Sequence, residues 1–317
     1  MEAALEAGRY AEAERGARKL LAETEARSGP SSLETGEVLD LLAVSLRRGG
    51  KAGEPETRQI CDRALEIKRA LLGEKSAGFA TSLYNLALLH SALGDTRTAE
   101  TLQLRTLRIR ESVLDPQHPD LASSLFSLGV LEQYAAAHES AQVHMDRAAA
   151  IREAAYGANH PSVAECLNGL GYVAYSLGDF PTAGARYEAA LAIWESSLGR
   201  DHPLVASVCF NLAGLYAELG DASEALPLDE RSLRIRRARL GRDHALTTES
   251  LAAVADDRFR LGDLAGSRRK YEEALEAQRR AGETETNAHA RTMALLARVF
   301  LWERNVVAAR PLLEEAL

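Results

Sequence analysis

Cysteine and lysine are both scarce in this chain of 317 residues. Cys61, Cys166 and Cys209 have no CxxC spacing and are too few for a disulfide framework, which leaves buried thiols in a reducing compartment as the expectation. Lysine occurs only at Lys19, Lys51, Lys68, Lys75 and Lys270, an arginine-for-lysine bias that fits a GC-rich bacterial genome. Excess positive charge is absent as well: the net charge of −8 argues against a general affinity for nucleic acid or anionic membrane. No stretch approaches the length of a membrane span. The acidic start Met1-Glu2-Ala3-Ala4-Leu5-Glu6 lacks the basic segment and apolar core of a signal peptide, so the chain is expected in the cytoplasm. A glycine-rich phosphate loop, an HExxH pair and a nucleophile elbow are also missing, and with them any reason to expect catalysis, a cofactor or a metal.

What the chain has in abundance is itself. Leu72-Gly73, Leu114-Asp115, Tyr156-Gly157, Leu198-Gly199 and Leu240-Gly241 fall 42 residues apart, and so do Leu65, Leu107, Ala149, Leu191, Leu233 and Leu275. A fixed period of this size marks a stacked array in which each repeat buries its apolar face against its neighbours. Within one repeat, Leu167, Leu170, Gly171 and Ala174, then Ala183, Tyr187, Ala190 and Leu191, follow the three-four spacing of one helical face, twice. Gly178-Asp179 lies between them, where glycine suits the left-handed residue that ends a helix and aspartate caps the next one. Gly94-Asp95, Gly220-Asp221 and Gly262-Asp263 repeat this punctuation, and Asp221 with Glu224 has capping-box spacing.

The other junction carries His118-Pro119, His160-Pro161 and His202-Pro203, with His244 in the same column. Proline is favourable in the first turn of a helix. These histidines recur because the junction recurs, and residues spaced one repeat apart do not converge as metal ligands must.

Small residues fill the columns where helices approach closely, Ala87, Gly129, Gly171, Ala213, Ala255 and Ala297 in the first helix and Ala99, Ala141, Ala183, Ala225, Ser267 and Ala309 in the second. With large neighbours at Leu86, Leu128, Leu170, Leu212 and Val254, the pattern resembles the tetratricopeptide repeat, in the 42-residue form of kinesin light chain and many bacterial regulatory proteins. The usual repeat has about 34 residues, and eight more is close to one extra turn in each helix, which keeps the packing face in register. The resemblance implies an all-α fold, a right-handed superhelical solenoid of antiparallel helix pairs. It is a single array: a partial amino-terminal repeat over about 1–31, six full pairs over 32–285 starting near 32, 76, 118, 160, 202 and 244, and a partial repeat over 286–317.

Irregularities stand out against this period. Gly8-Arg9-Tyr10 reads as the turn before a second helix, with Ala3 to Ala7 the stub of a first. Leu301, Trp302, Val306, Leu312, Leu313 and Leu317 suggest an open apolar end, hence a fragment of a longer protein or an array completed by self-association. The glycine-rich Gly49 to Pro55 is two residues longer than its counterparts and reads as a hinge. Ala135-Ala136-Ala137 replaces the Leu-Gly-Asp turn and is expected to change how one helix ends.

In a right-handed stack the first helices line the concave surface. Their free face reads Tyr84 with Leu88, Phe126 with Val130, Asn168 with Tyr172, Phe210 with Gly214, then Asp256 and Arg298. An apolar strip that the fold need not bury marks an interaction site, although these aromatics could equally pack between adjacent first helices. In the next column, Asn85 and Asn211 match the asparagine that grips an extended peptide backbone in related repeats, while Ser127, Gly169, Ala253 and Leu295 do not. Arg231, Arg234, Arg236, Arg237 and Arg239 lie on a second helix and are expected to form a solvated outer face. These residues point to a non-catalytic scaffold whose groove, with Tyr84, Asn85, Leu88, Phe126, Val130, Asn168, Tyr172, Phe210, Asn211 and Arg298, takes a protein or peptide. The alternatives are a sensor segment of a larger signalling enzyme, a kinase, nucleotide-switch ATPase or protease, and a self-assembling scaffold.

Overall fold

The computed structural model describes residues 4–5 and 9–316, and every regular element among them is an α-helix. Two compact halves divide the chain, Met1–Ala158 and Asn159–Leu317. The first holds α1 (Tyr10–Ser28), α2 (Leu33–Arg48), α3 (Pro55–Leu72), α4 (Ala77–Ala92), α5 (Thr96–Val113), α6 (Pro119–Tyr134) and α7 (His138–Tyr156). The second holds α8 (Pro161–Ser176), α9 (Phe180–Leu198), α10 (Pro203–Glu218), α11 (Ala222–Leu240), α12 (Ala245–Arg260), α13 (Leu264–Ala281), α14 (Asn287–Trp302) and α15 (Val306–Ala316). Within each half, consecutive helices pack as pairs, and the second helix of each pair packs against the first helix of the next.

The chemistry of the turns explains the boundaries. Inside a pair, Gly94, Gly178, Gly220 and Gly262 adopt left-handed φ values of 79 to 83°, and the following aspartate accepts a backbone N–H. At the position of Gly94 one repeat on, Ala136 takes the same left-handed turn, with φ 58°. The helix before it therefore ends as its counterparts do, and the loss falls on the next helix, where Ala137 offers no side-chain cap. Between pairs, the Nδ1 atoms of His118, His160, His202 and His244 accept the N–H two residues on, at 3.1 to 3.2 Å. The recurring histidine is thus an N-cap that satisfies one free amide of a new helix.

The close-approach columns are as tight as their small residues suggest. A Cβ on Gly171 would lie 2.7 Å from the Tyr187 ring, and one on Gly129 would lie 2.8 Å from Cγ of Met145. In the Gly49 to Pro55 segment, the Lys51 N–H reaches the Leu46 carbonyl and its own carbonyl accepts from Thr57 Oγ1. Ala4 and Leu5 are buried beside Ala13; the rest of the expected Ala3 to Ala7 stub, and Gly8, lie outside the described residues. At the other end Leu301, Trp302, Val306, Val307 and Leu313 are exposed, while Leu317 lies outside the described residues.

Candidate functional site

The site is built on a column of second-helix residues that sequence reading passed over: Lys68, Arg110, Arg152, Trp194, Arg236 and Gln278, again 42 apart and all buried. Arg110 donates to the Asp120 carbonyl at 2.7 Å and to Ser124 Oγ at 2.8 Å, tying its helix to the first turn of the next pair. Arg236 does the same with the Leu246 carbonyl, Glu249 and Ser250 at 2.9 to 3.0 Å. Gln278 pairs with Thr292 and His289. Trp194 donates to the Pro161 carbonyl at 3.0 Å, and Val208, not serine, packs with it in the same core. The polar partners at Ser124, Ser250 and Thr292 therefore change to an apolar one where the column does. Burial pushes the Arg110 and Arg236 guanidinium groups below their ordinary pKa.

The same guanidinium groups cover the expected anchors. Arg110 lies 4.8 Å from the Tyr84 ring centroid, Arg152 4.8 Å from Phe126 and Arg236 4.6 Å from Phe210, each in the cation–π range. Arg236 is accordingly no part of a solvated outer face; its buried position is a correction to the sequence reading. Its neighbours Arg231, Arg234 and Arg237 do meet acidic partners, Glu195, Asp201 and Glu273.

In the first half, Tyr84 and Asn85 line an open cavity of about 490 Å³. The Tyr84 hydroxyl bonds Ser127 Oγ on the next first helix, at 3.0 Å. Asn85 is only 7% exposed, and its Nδ2 donates to Asp40 Oδ1 at 3.0 Å, so one of its amide N–H groups is held within the core. Asp40 also accepts from Lys68 Nζ and from Ser82 Oγ at 2.9 Å. Leu88, Phe126 and Val130 are half-buried and do not line this cavity.

In the second half, Phe210 and Arg298 line an open cavity of about 640 Å³ together with Gly214, Asp229, Asp256 and Asp257. Asn211 Nδ2 donates to Asn168 Oδ1 at 3.0 Å, which joins two of the expected residues, and Tyr172 is exposed. Arg298 bonds Asp256 at 2.5 Å and lies 4.2 Å over the Phe259 ring. Burial alone would raise Asp256, but the hydrogen bonds from Arg298 and Arg260 outweigh it and hold its carboxyl below the usual range. Asp229 and Asp257 behave oppositely: burial first raises both, and a neighbouring carboxylate adds to it, Asp257 for Asp229 and Asp256 for Asp257.

All three thiols are buried, and burial pushes Cys61 up to about 12 and Cys209 to about 11. His90 is engaged by Asp95 and Arg58. Among the described residues no three His, Cys, Asp or Glu side chains converge to hold a metal ion, and no helix is long and apolar enough to cross a membrane.

Comparison with known proteins agrees with this architecture. No functionally curated protein matches the chain. Among solved structures, BtubC (BKLC) from P. vanneervenii is 22% identical over 73% of this chain and 91% of its own, with a TM-score of 0.58. The nearly identical TPR-like repeats assigned to a kinesin light chain of Podosopora anserina are 22% identical over 67% of this chain and 98% of theirs, at 0.51. The apo form of RapI, 13% identical, covers 89% of this chain and 96% of its own at 0.63. At these identities the likeness establishes the fold alone. The tetratricopeptide repeat model matches residues 52–112, 79–154, 167–238 and 210–280, which is most of the chain. On that match, and on the helix pairs that bear it out repeat by repeat, the chain belongs to the tetratricopeptide repeat family.

Proposed function

We propose that the chain is a non-catalytic interaction module that takes a peptide or helix of a partner protein against the free face of its first helices. One observation carries this reading: in each half an open cavity of several hundred Å³ lies on that face, walled by first-helix side chains and uncovered by any helix. Cavities of this size suit a few anchoring side chains. Most polar groups around them are already satisfied, which lowers the desolvation cost of covering them. Repeat arrays offer such faces as extended binding surfaces.

Gly214 provides the test, because it is exposed, lines the larger cavity, and a Cβ there meets nothing within 4 Å. Gly214→Trp fills the cavity while leaving the core untouched. For a peptide selected by display against the intact chain, fluorescence polarisation is expected to show about a tenfold or greater loss of affinity with this variant, near 1.4 kcal/mol. Unchanged affinity, with unchanged circular dichroism, refutes binding on this face.

A further inference from the structure

The cavity of the second half contains two residues that break the period of the core. Asp257 occupies the column of Leu89, Leu131, Val173, Leu215 and Val299, all buried and apolar. Asp229 occupies the column of Cys61, Gln103, Met145, Tyr187 and Tyr271, none of them charged. At this one junction two carboxyls stand where packing calls for hydrocarbon. They are 4% and 2% exposed, and both line the cavity, forming part of its floor. Asp229 Oδ1 and Asp257 Oδ2 are buried and have no hydrogen-bond partner.

Of the cations nearby, Arg291 is exposed at the cavity wall and the other three are committed elsewhere. Arg236 is held by Leu246, Glu249 and Ser250, and Arg260 and Arg298 are held by Asp256. Buried carboxylates are costly unless paired, and orphaned acceptors carry a further penalty. The same chain shows what completes such a group. Asp40, also buried, receives the ammonium of Lys68 together with Ser82 and Asn85. Asp229 and Asp257 have the counterpart of that acceptor and no ammonium.

We propose that this cavity recognises a primary ammonium on an aliphatic stem, the ammonium seated against Asp229 and Asp257 and the stem against Phe210, Ala252 and Leu295, which line the same cavity. An ammonium, with three donors on a slender chain, suits two orphan oxygens in a recess better than the five-donor plane of a guanidinium. A carboxyl pair that keeps one proton carries a single negative charge, which one ammonium neutralises. The inference rests on the groove reading above for a lysine side chain as the source; a free alkylamine supplies the same chemistry without it.

The test uses the full chain and three probes: an alanine-leucine octapeptide with one central lysine, its norleucine twin, and cadaverine. Isothermal titration is expected to show the lysine peptide binding about tenfold tighter than the twin, the size of one charge-assisted hydrogen bond. Cadaverine is expected to shift the carboxyl carbon resonances of Asp229 and Asp257. In the double variant Asp229→Tyr, Asp257→Leu, which restores the residue types of the other repeats and so protects the fold, both effects disappear. Cadaverine binding at these carboxyls without either peptide supports the ammonium site and counts against the groove in this half. Equal binding of lysine and norleucine peptides overturns the ammonium site and leaves the groove standing. Binding of none of the probes also overturns it, and the Gly214→Trp measurement then decides the groove separately.

Discussion

Two junctions in this chain bury carboxyl groups, and they treat them differently. At Asp40 the acceptor meets an internal ammonium, a hydroxyl and an amide, all from neighbouring helices. At Asp229 and Asp257 one buried oxygen of each carboxyl has no partner. The surrounding fold is the same helix pair in both cases, so the difference lies in a few side chains. One arrangement fixes a junction from within, and the other holds unspent charge beside an open cavity. Charge burial in this array is therefore a local property of single repeats.

Breaking the satisfied junction should have the largest effect. Lys68→Met keeps the aliphatic length and removes the charge, leaving Asp40 buried and uncompensated. Loss of one partner from a buried pair costs about 3–5 kcal/mol. Repeat arrays can unfold in sections, so hydrogen exchange of the α4 amides is the suitable measurement. The added change Asp40→Leu is expected to recover most of the loss, since replacing both partners with hydrocarbon is often neutral. A loss below about 1 kcal/mol for Lys68→Met, within the range of an ordinary surface pair, would show that Asp40 is not buried as described.

The unsatisfied junction should respond in the opposite direction. Asp257→Leu restores the column residue and is expected to stabilise the second half by about 1–4 kcal/mol, the range found when buried charges give way to well-packed hydrocarbon. The pH dependence follows with a definite sign. The folded pair keeps a proton above the usual carboxylate range, whereas the unfolded chain has released it there. The native state thus binds more protons, and stability falls as pH rises from that range through the raised folded values. Urea denaturation at a series of pH values should show this decline in the parent chain and a flatter profile in Asp257→Leu. Parallel profiles would remove the carboxyl pair as its cause.

How far these junctions could be read beforehand depended on what each signal reports. The period, the Gly-Asp turns and the His-Pro junctions are local features, and they placed the helices and turns because capping and left-handed residues act within a few positions. Asn85 was assigned to the right helix face but not to its partner, since Asp40 comes from an adjacent pair, 45 residues away. Arg236 lies on a second helix and so reads as part of a solvated outer face, although a long aliphatic stem lets arginine lie in a core and stack on Phe210. Asp229 and Asp257 were visible as departures within their columns, but columns searched for what recurs do not display what departs. The replacement of Leu-Gly-Asp by Ala135-Ala136-Ala137 suggested an altered helix end, whereas the packing of the pair imposed the left-handed turn on Ala136 regardless.

A smaller effect separates the acid and alkaline behaviour of the second half. His202 caps α10 through Nδ1, which must carry a lone pair to accept the Leu204 N–H. Burial, and then the charge of Arg239, lowers its pKa, so the folded state favours the neutral ring. For a group depressed in this way, stability is present above the ordinary imidazole value and is lost as pH falls through the folded one. His202→Ala should cost about 1 kcal/mol at neutral pH, the usual worth of an N-cap, and should reduce the acid limb. His202→Asn separates the two causes, because asparagine caps a helix as well but does not titrate near neutrality. It should restore most of the stability, reduce the acid limb to the share of His289, which burial also depresses, and of depressed carboxyls such as Asp256, and leave the alkaline decline from Asp229 and Asp257 unchanged. If the acid limb of His202→Asn equals that of the parent chain, the limb belongs wholly to other groups, and the cap makes no contribution to the acid end of the pH profile.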